Sequence, residues 1–337
     1  MKHVLVTGGA GYIGSVVCRT LLERGHSIVV LDNLEEGHRS ALPAKGGFFQ
    51  GDLADQTLLK EIFRTHRIET VVHLAANCLV GESVHHPEKY YENNVSNGLA
   101  LLKAMRASGV KKLVFSSTAA VYGEPLSSPI EETHPTRPVN PYGHSKLIFE
   151  QILEWSARAY DLKYVTFRYF NAAGAMDGLG EDHDPETHLI PLVLQRALKE
   201  AEDPSGETVQ NPLTVFGLDY PTPDGSCLRD YVHIQDLALA HVLALEKLDH
   251  LQQRIFNLGN GEGFSVLEVI EMARQITGRE IPYLEGGRRP GDPAVLVASS
   301  SLARKVLGWE PGYPDLKDII ASAWDWQRKF PRGYQDK

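Results

Sequence analysis

The stretch His3-Val4-Leu5-Val6-Thr7-Gly8-Gly9-Ala10-Gly11-Tyr12-Ile13-Gly14 decides how the chain begins to fold. His3–Val6 is an apolar run of strand length, and Ile13–Arg24 behind the glycines carries helical periodicity. Gly9, Gly11 and Gly14 satisfy G-x-G-x-x-G, while Gly8, Gly11 and Gly14 satisfy G-x-x-G-x-x-G. Glycines here permit a tight strand-to-helix turn and let backbone N–H groups close on a pyrophosphate at the helix N-terminus. A plain turn would also use glycine, but strand, loop and helix follow in the order a dinucleotide site needs.

Working outward, the next apolar run, Ser27–Leu31, ends at Asp32. A carboxylate there accepts bonds from adenosine ribose hydroxyls and repels a 2′-phosphate, which favours NAD over NADP. Asp52, with Leu53, follows the run Gly47–Gln50 and reads equally as an adenine contact or a solvated turn residue. Further strands are predicted at Thr70–Leu74, Lys112–Phe115 and Lys163–Tyr169, and further helices at Asn94–Ser108 and Pro141–Tyr160. Alternation of this kind predicts an α/β fold: a Rossmann-type doubly wound parallel sheet with helices on both faces. Ligands in such sheets bind beyond the carboxyl ends of the strands. Gly8 to Gly14, Asp32, Asp52, Leu74-Ala75-Ala76-Asn77, Ser116-Ser117-Thr118 and Asn171 all fall there.

The 337 residues allow one large domain or two smaller ones. Pro and Gly thicken after Met176, as in Asp203-Pro204-Ser205-Gly206 and Pro221-Thr222-Pro223-Asp224-Gly225. We read residues 1–176 as the cofactor domain and 177–337 as a smaller mixed α/β substrate domain, with the segment at about 231–256 a candidate to pack back on the first. A net charge of −9 argues against nucleic acid, whose phosphates need a basic surface. No apolar run is long enough to span a membrane, and Val4–Val6 is too short for a signal peptide. Cys18, Cys78 and Cys227 offer neither a disulfide framework nor zinc spacing, so a reducing, cytoplasmic setting fits.

Pro141-Tyr142-Gly143-His144-Ser145-Lys146 opens a helix, with Tyr142 and Lys146 on one face at i, i+4. A free tyrosine, with pKa near ~10, is a poor base at neutral pH. A neighbouring ammonium and the positive nicotinamide of oxidised NAD favour its phenolate. Thr118 and Ser117, at a strand end, can hydrogen-bond the same substrate hydroxyl. Tyr-x-x-x-Lys is common on surface helices; the glycine loop, Asp32 and Thr118 together turn it into a catalytic reading.

These residues resemble the extended short-chain dehydrogenases and, within them, the UDP-glucose (UDP-galactose) 4-epimerases, nearly end to end. The specific signs are Val6 to Gly14, Leu31-Asp32-Asn33-Leu34, Val80-Gly81-Glu82-Ser83, Tyr90-Tyr91-Glu92-Asn93-Asn94-Val95, Arg168-Tyr169-Phe170-Asn171, Arg229-Asp230-Tyr231-Val232-His233 and Arg288-Arg289-Pro290-Gly291-Asp292. The resemblance implies an isomerase in which Tyr142 takes the proton of the sugar 4-hydroxyl while C4 gives hydride to NAD. The 4-keto sugar then turns over and is reduced on its other face. It implies that Thr118 orients O4 and that Lys146 binds the nicotinamide ribose. Tyr12, Ile13, Asn33, Asn94 and Phe170 match cofactor positions. Asn171, His188, Leu189, Phe216, Arg229, Arg289, Asp292 and Leu296 match UDP-sugar positions. Arginines suit a diphosphate, although either one, taken without its motif, reads as a surface ion pair.

The chain departs from the family in three places. Cys78 stands where many members carry lysine, which removes one cofactor or phosphate contact. His188 stands where some bacterial members carry asparagine. Leu296 stands where a bulky tyrosine excludes N-acetylated sugars, so UDP-N-acetylhexosamines become candidate substrates. A dehydratase would need an acid after Thr118, but Ala119-Ala120-Val121-Tyr122 follows. A non-catalytic NAD sensor would lack Tyr142 or Lys146, and both are present. An epimerase of a UDP-pentose or UDP-uronic acid remains an alternative. The resemblance also implies a homodimer through Asn94–Ser108 and Pro141–Tyr160, although Leu99, Leu102, Ile148 and Ile152 could equally face the subunit's own sheet. His183, Asp184, Glu186 and His188 lack a tight ligand spacing, so no metal is expected.

Overall fold

The computed structural model describes residues 1–202, 213–289 and 292–336. The stretch Asp203 to Gly206 and the pair Pro290-Gly291 lie outside the described residues. The strands are β1 (His3–Thr7), β2 (Ser27–Asp32), β3 (Gly47–Gln50), β4 (Thr70–His73), β5 (Lys112–Thr118), β6 (Lys163–Tyr169), β7 (Asn171–Ala173), β8 (Leu213–Phe216), β9 (Leu228–Arg229), β10 (Tyr231–His233), β11 (Ile255–Leu258), β12 (Phe264–Ser265), β13 (Tyr283–Gly286) and β14 (Val295–Leu296). The α-helices are α1 (Tyr12–Glu23), α2 (Gln56–Thr65), α3 (Val80–His85), α4 (Pro87–Tyr91), α5 (Gly98–Ala107), α6 (Pro141–Tyr160), α7 (Leu189–Glu202), α8 (Ile234–Lys247), α9 (Val266–Thr277), α10 (Ser301–Leu307) and α11 (Leu316–Lys329).

Seven strands form one parallel sheet in the order β11-β6-β5-β4-β1-β2-β3. The order reverses between β1 and β4, which opens a crevice at their carboxyl ends. The central strands are buried along nearly their whole length rather than at alternate residues, because helices cover both faces. On one face Val16, Val17 and Leu21 of α1 pack with Leu237, Ala240 and Val242 of α8. On the other, Leu59 and Ile62 of α2 pack with Leu101 of α5 and Phe149 and Leu153 of α6. A separate core joins Val193 and Leu194 of α7 to Val269 of α9, Ile319 and Ile320 of α11, and Val215 of β8. The chain crosses back from that region, since α8, β11 and α10 all pack with the large sheet.

Local chemistry explains several boundaries. Asn140 caps α6 by accepting from Gly143 N at 2.8 Å, with Pro141 in the first turn. Ser265 and Glu268 form a reciprocal capping box at α9. In the first half, two elements differ from the sequence reading by more than one residue at an end. The ladder of β5 runs on to Thr118, because Ser116 to Thr118 pair with Phe167 to Tyr169 of β6. The helix expected from Asn94 begins as a π-helical stretch, Glu92–Asn97, and turns α-helical at Gly98. There Asn94 spends its amide on Asn77 and Ser145.

Behind α6 lies a buried ion pair. The Arg168 guanidinium donates to both carboxylate oxygens of Glu150, and Ser117 Oγ donates to Oε1 at 2.5 Å. Removing one partner of such a pair leaves a charge stranded in apolar surroundings. We expect Arg168→Met to cost about 3–5 kcal/mol in urea unfolding, and E150M/R168M to recover much of that loss. Equal losses in the single and double variants would refute this reading.

Candidate active site

A cavity of about 360 Å³ opens at the carboxyl ends of the sheet, over the β1–β4 crevice. Its floor is the glycine loop, where two glycines are required by contact. A Cβ on Gly14 would stand 1.9 Å from Gly8 O, and one on Gly8, whose φ is +74°, would stand 2.5 Å from Ala75 N. The Asp32 carboxylate accepts from Ala10 N and from Leu34 N, each at 2.9 Å. Burial pushes its pKa up, and the two backbone bonds oppose that. Each oxygen keeps lone pairs for a ribose hydroxyl. Asp52 sits at the same end, taking Asn33 Nδ2 at 3.3 Å, Ala54 N at 2.7 Å and Asn97 Nδ2 at 3.1 Å. The cradle without side chains and the partly free carboxylate fit a dinucleotide.

At the other end Lys146 Nζ donates to Ser116 O at 2.8 Å, and it sits 5.0 Å from the centre of the Phe115 ring. Burial pushes its ammonium down to about 8. Tyr142 is buried, which holds its phenol well above the ordinary value, and a hydrogen bond with the Thr118 side chain works the other way. Tyr90 stands edge-on to it, with ring centres 6.3 Å apart. Thr118 Oγ1 also caps the turn Ala119–Val121 by accepting from Ala120 N.

The cavity wall includes Gly8, Gly11, Tyr12, Ile13, Gly14, Asp32, Asn33, Asp52, Leu53, Leu74, Ala75 and Ala76 from the cofactor expectation. It also includes Thr118, Tyr142, Lys146, Phe170, Asn171 and His188. Asn94 lies one layer behind, where its amide fixes Asn77 and the first turn of α6 through Ser145. Leu189 starts α7 and packs against the smaller core. Phe216, Arg229, Arg289, Asp292 and Leu296 fall outside this cavity. Arg229 is ion-paired with Asp292 and donates to Pro293 O at 2.9 Å. Arg289 lies over the Phe216 ring at 4.0 Å. Asn171 Nδ2 bonds Asp230 O at 3.0 Å, so the residue after Arg229 is held by the cavity wall. Leu296 packs beside Phe170.

Three features escaped the sequence reading. Ser116 serves Lys146 through its backbone carbonyl, which no side-chain motif announces. Glu150, four residues beyond Lys146 on the same helix, faces Arg168; that spacing was a usable signal. His183, Asp184, Glu186 and His188 looked too loosely spaced to be a ligand set, yet the irregular loop before α7 folds donor atoms of His183, Glu186 and His188, with Glu181 in place of Asp184, to within 4.8 Å of one another. Burial opposes charge on both imidazoles. Hydrogen bonds to Cys78 and Glu181 nonetheless hold His183 up at about 11, and Glu186 holds His188 up at about 9.

Comparison with known proteins agrees with this geometry. Residues 4–259 match the NAD dependent epimerase/dehydratase family. The chain is 55% identical to a UDP-glucose 4-epimerase of Halalkalibacterium halodurans, with 98% of this chain and 97% of that one covered. The fold is similar to a UDP-glucose 4-epimerase from Brucella ovis solved with NAD, at a TM-score of 0.90 and 45% identity, covering 96% of this chain and 98% of that one. It is also similar to one from Bifidobacterium longum with NAD+ and UDP, at 0.90 and 40%, covering 99% and 100%.

Lys146 binds fewer protons in the folded chain than in the unfolded one between about 8 and its ordinary 10.5. Stability therefore rises with pH across that window and carries the full burial penalty below it. We expect K146M without added NAD to unfold at higher temperature than wild type below pH 8, with the gap narrowing toward pH 10. A pH-independent gap in thermal unfolding would contradict the assignment. Gly14→Ala should abolish NAD retention, read as the absorbance ratio of the purified protein.

Proposed function

The chain belongs to the NAD dependent epimerase/dehydratase family and is an NAD-dependent epimerase; we propose that it interconverts UDP-glucose and UDP-galactose at C4. One observation carries the reading: Thr118, Tyr142 and Lys146, whose ammonium is held by Ser116 O, line the same cavity as the glycine loop. When bound, NAD supplies the redox chemistry, taking hydride from C4 and giving it back, so no net oxidation results. Thr118 positions the 4-hydroxyl. Tyr142 withdraws its proton and later returns one. Burial alone keeps Tyr142 neutral, so the ammonium of Lys146 must be charged to make the phenolate accessible. Elimination chemistry would need an acid where Ala119 and Ala120 form the turn after Thr118.

Proton NMR with UDP-galactose should show UDP-glucose growing to a steady ratio without net NADH. Tyr142→Phe should lose roughly 10²–10⁴ in turnover while retaining NAD. A 4-keto-6-deoxy product would move the protein to the dehydratases.

The resemblance matches Leu296 to the position where a bulky tyrosine excludes N-acetylated sugars, and leucine is the smaller side chain. A UDP-Glc/GlcNAc 4-epimerase from Campylobacter jejuni is 39% identical to this chain, with a TM-score of 0.84. We therefore assign UDP-N-acetylgalactosamine as a second substrate; undetectable turnover of it beside UDP-galactose would defeat this. We also infer a homodimer. Leu99, Leu102, Ile148 and Ile152 are all only half-buried, with Leu102 and Ile152 at the edge of the core that Leu101, Phe149 and Leu153 fill. Light scattering should give a dimer mass, and I148E a monomer. No helix among the described residues is long and apolar enough to cross a membrane. The three free cysteines fit a reducing cytoplasmic setting.

A further inference from the structure

We propose that Glu181, His183, Glu186 and His188 form a binding site for a divalent transition cation of the zinc class at the rim of the active-site cavity. The four side chains come from one eight-residue loop segment immediately before α7, and each turns a donor atom toward the same point. His188 Nδ1 lies 2.8 Å from Glu186 Oε1 and 3.9 Å from Glu181 Oε1, while His183 Nδ1 meets Glu181 Oε1 directly. Two imidazoles and two carboxylates are the donor set that zinc takes in a tetrahedral site, whereas calcium and magnesium prefer oxygen alone. Zinc bonds of about 2.0–2.2 Å place tetrahedral donors roughly 3.4 Å apart. Donors already gathered within 4.8 Å reach that spacing by modest shifts, with the close His–Glu pairs opening and the looser ones drawing in.

Side-chain exposure supports both retention and access. The two carboxylates are 9% and 6% exposed and His183 15%, while His188, at 45%, faces an entry path. Glu181, His183 and His188 also line the cavity. A bound cation would therefore clip the loop to the cavity mouth and stand where an anionic substrate enters.

The test uses the NAD-loaded chain in a Cys78→Ser background, so that the half-buried thiol near His183 cannot supply the signal. Titration with ZnCl2 by calorimetry, and with CoCl2 by visible absorption, should give one site per chain and the bands of a tetrahedral cobalt centre. H183A and E186Q should each weaken binding at least tenfold; two variants guard against one that folds poorly, and retained NAD reports folding. Absence of saturable binding, an octahedral cobalt spectrum, or affinity unchanged in both variants would overturn the proposal. Those outcomes leave the epimerase reading untouched, since it is read separately from sugar conversion.

Discussion

The Asp32 carboxylate is the tie on which the cofactor end depends. It closes the second strand and holds the glycine loop by accepting Ala10 N, so β1, its turn and β2 share one hydrogen-bonded corner. The same group holds Leu34 in the left-handed region at φ 64°, a conformation a bulky side chain adopts only when its surroundings impose it. With the loop set, Gly14 can approach Gly8 O and the first turn of α1 can present its backbone N–H groups to a pyrophosphate. A carboxylate used this way is partly buried, and its raised pKa reflects that burial.

At the reacting end two buried groups oppose each other's ordinary chemistry. Burial disfavours the phenolate of Tyr142 and the ammonium of Lys146 alike. The Lys146 ammonium, lowered only to about 8, still prevails at neutral pH, whereas the Tyr142 phenolate does not; the positive nicotinamide of bound NAD would favour that phenolate. Behind Lys146, Glu150 is neutralised by Arg168, so one helix carries the working cation and the anion of a separate, closed pair. The Ser117–Glu150 bond then anchors the strand end that carries Thr118.

The smaller core around α7, α9 and α11 joins this frame through specific contacts. Asn171 bonds the carbonyl of Asp230, and the Asp230 carboxylate takes backbone N–H groups from Asn260, Gly261 and Ala298. That carboxylate links β9, β14 and the turn after β11 through one buried side chain. Arg229 is ion-paired with Asp292, which ties the strand β9 to the segment that leads into β14.

The amino-acid sequence alone determined the parallel sheet, because uninterrupted apolar runs alternating with helical periodicity have few other stable arrangements. β3, β6 and α6 have the limits read from sequence, with glycines bounding β3 and the Asn140 cap and left-handed Asp161 bounding α6. It also located the glycine loop, Asp32 and the Tyr142–Lys146 pair, since each depends on short-range spacing. The π-helical entry to α5, the use of the Ser116 carbonyl and the layer occupied by Asn94 were not legible, because backbone acceptors and second-layer amides carry no residue-type signature. Only the tertiary structure decided that Phe216, Arg229, Arg289, Asp292 and Leu296 stand outside the cavity while Glu181, His183 and His188 line it. Those residues lie on irregular loops and short strands, whose path is set by long-range packing rather than by local periodicity.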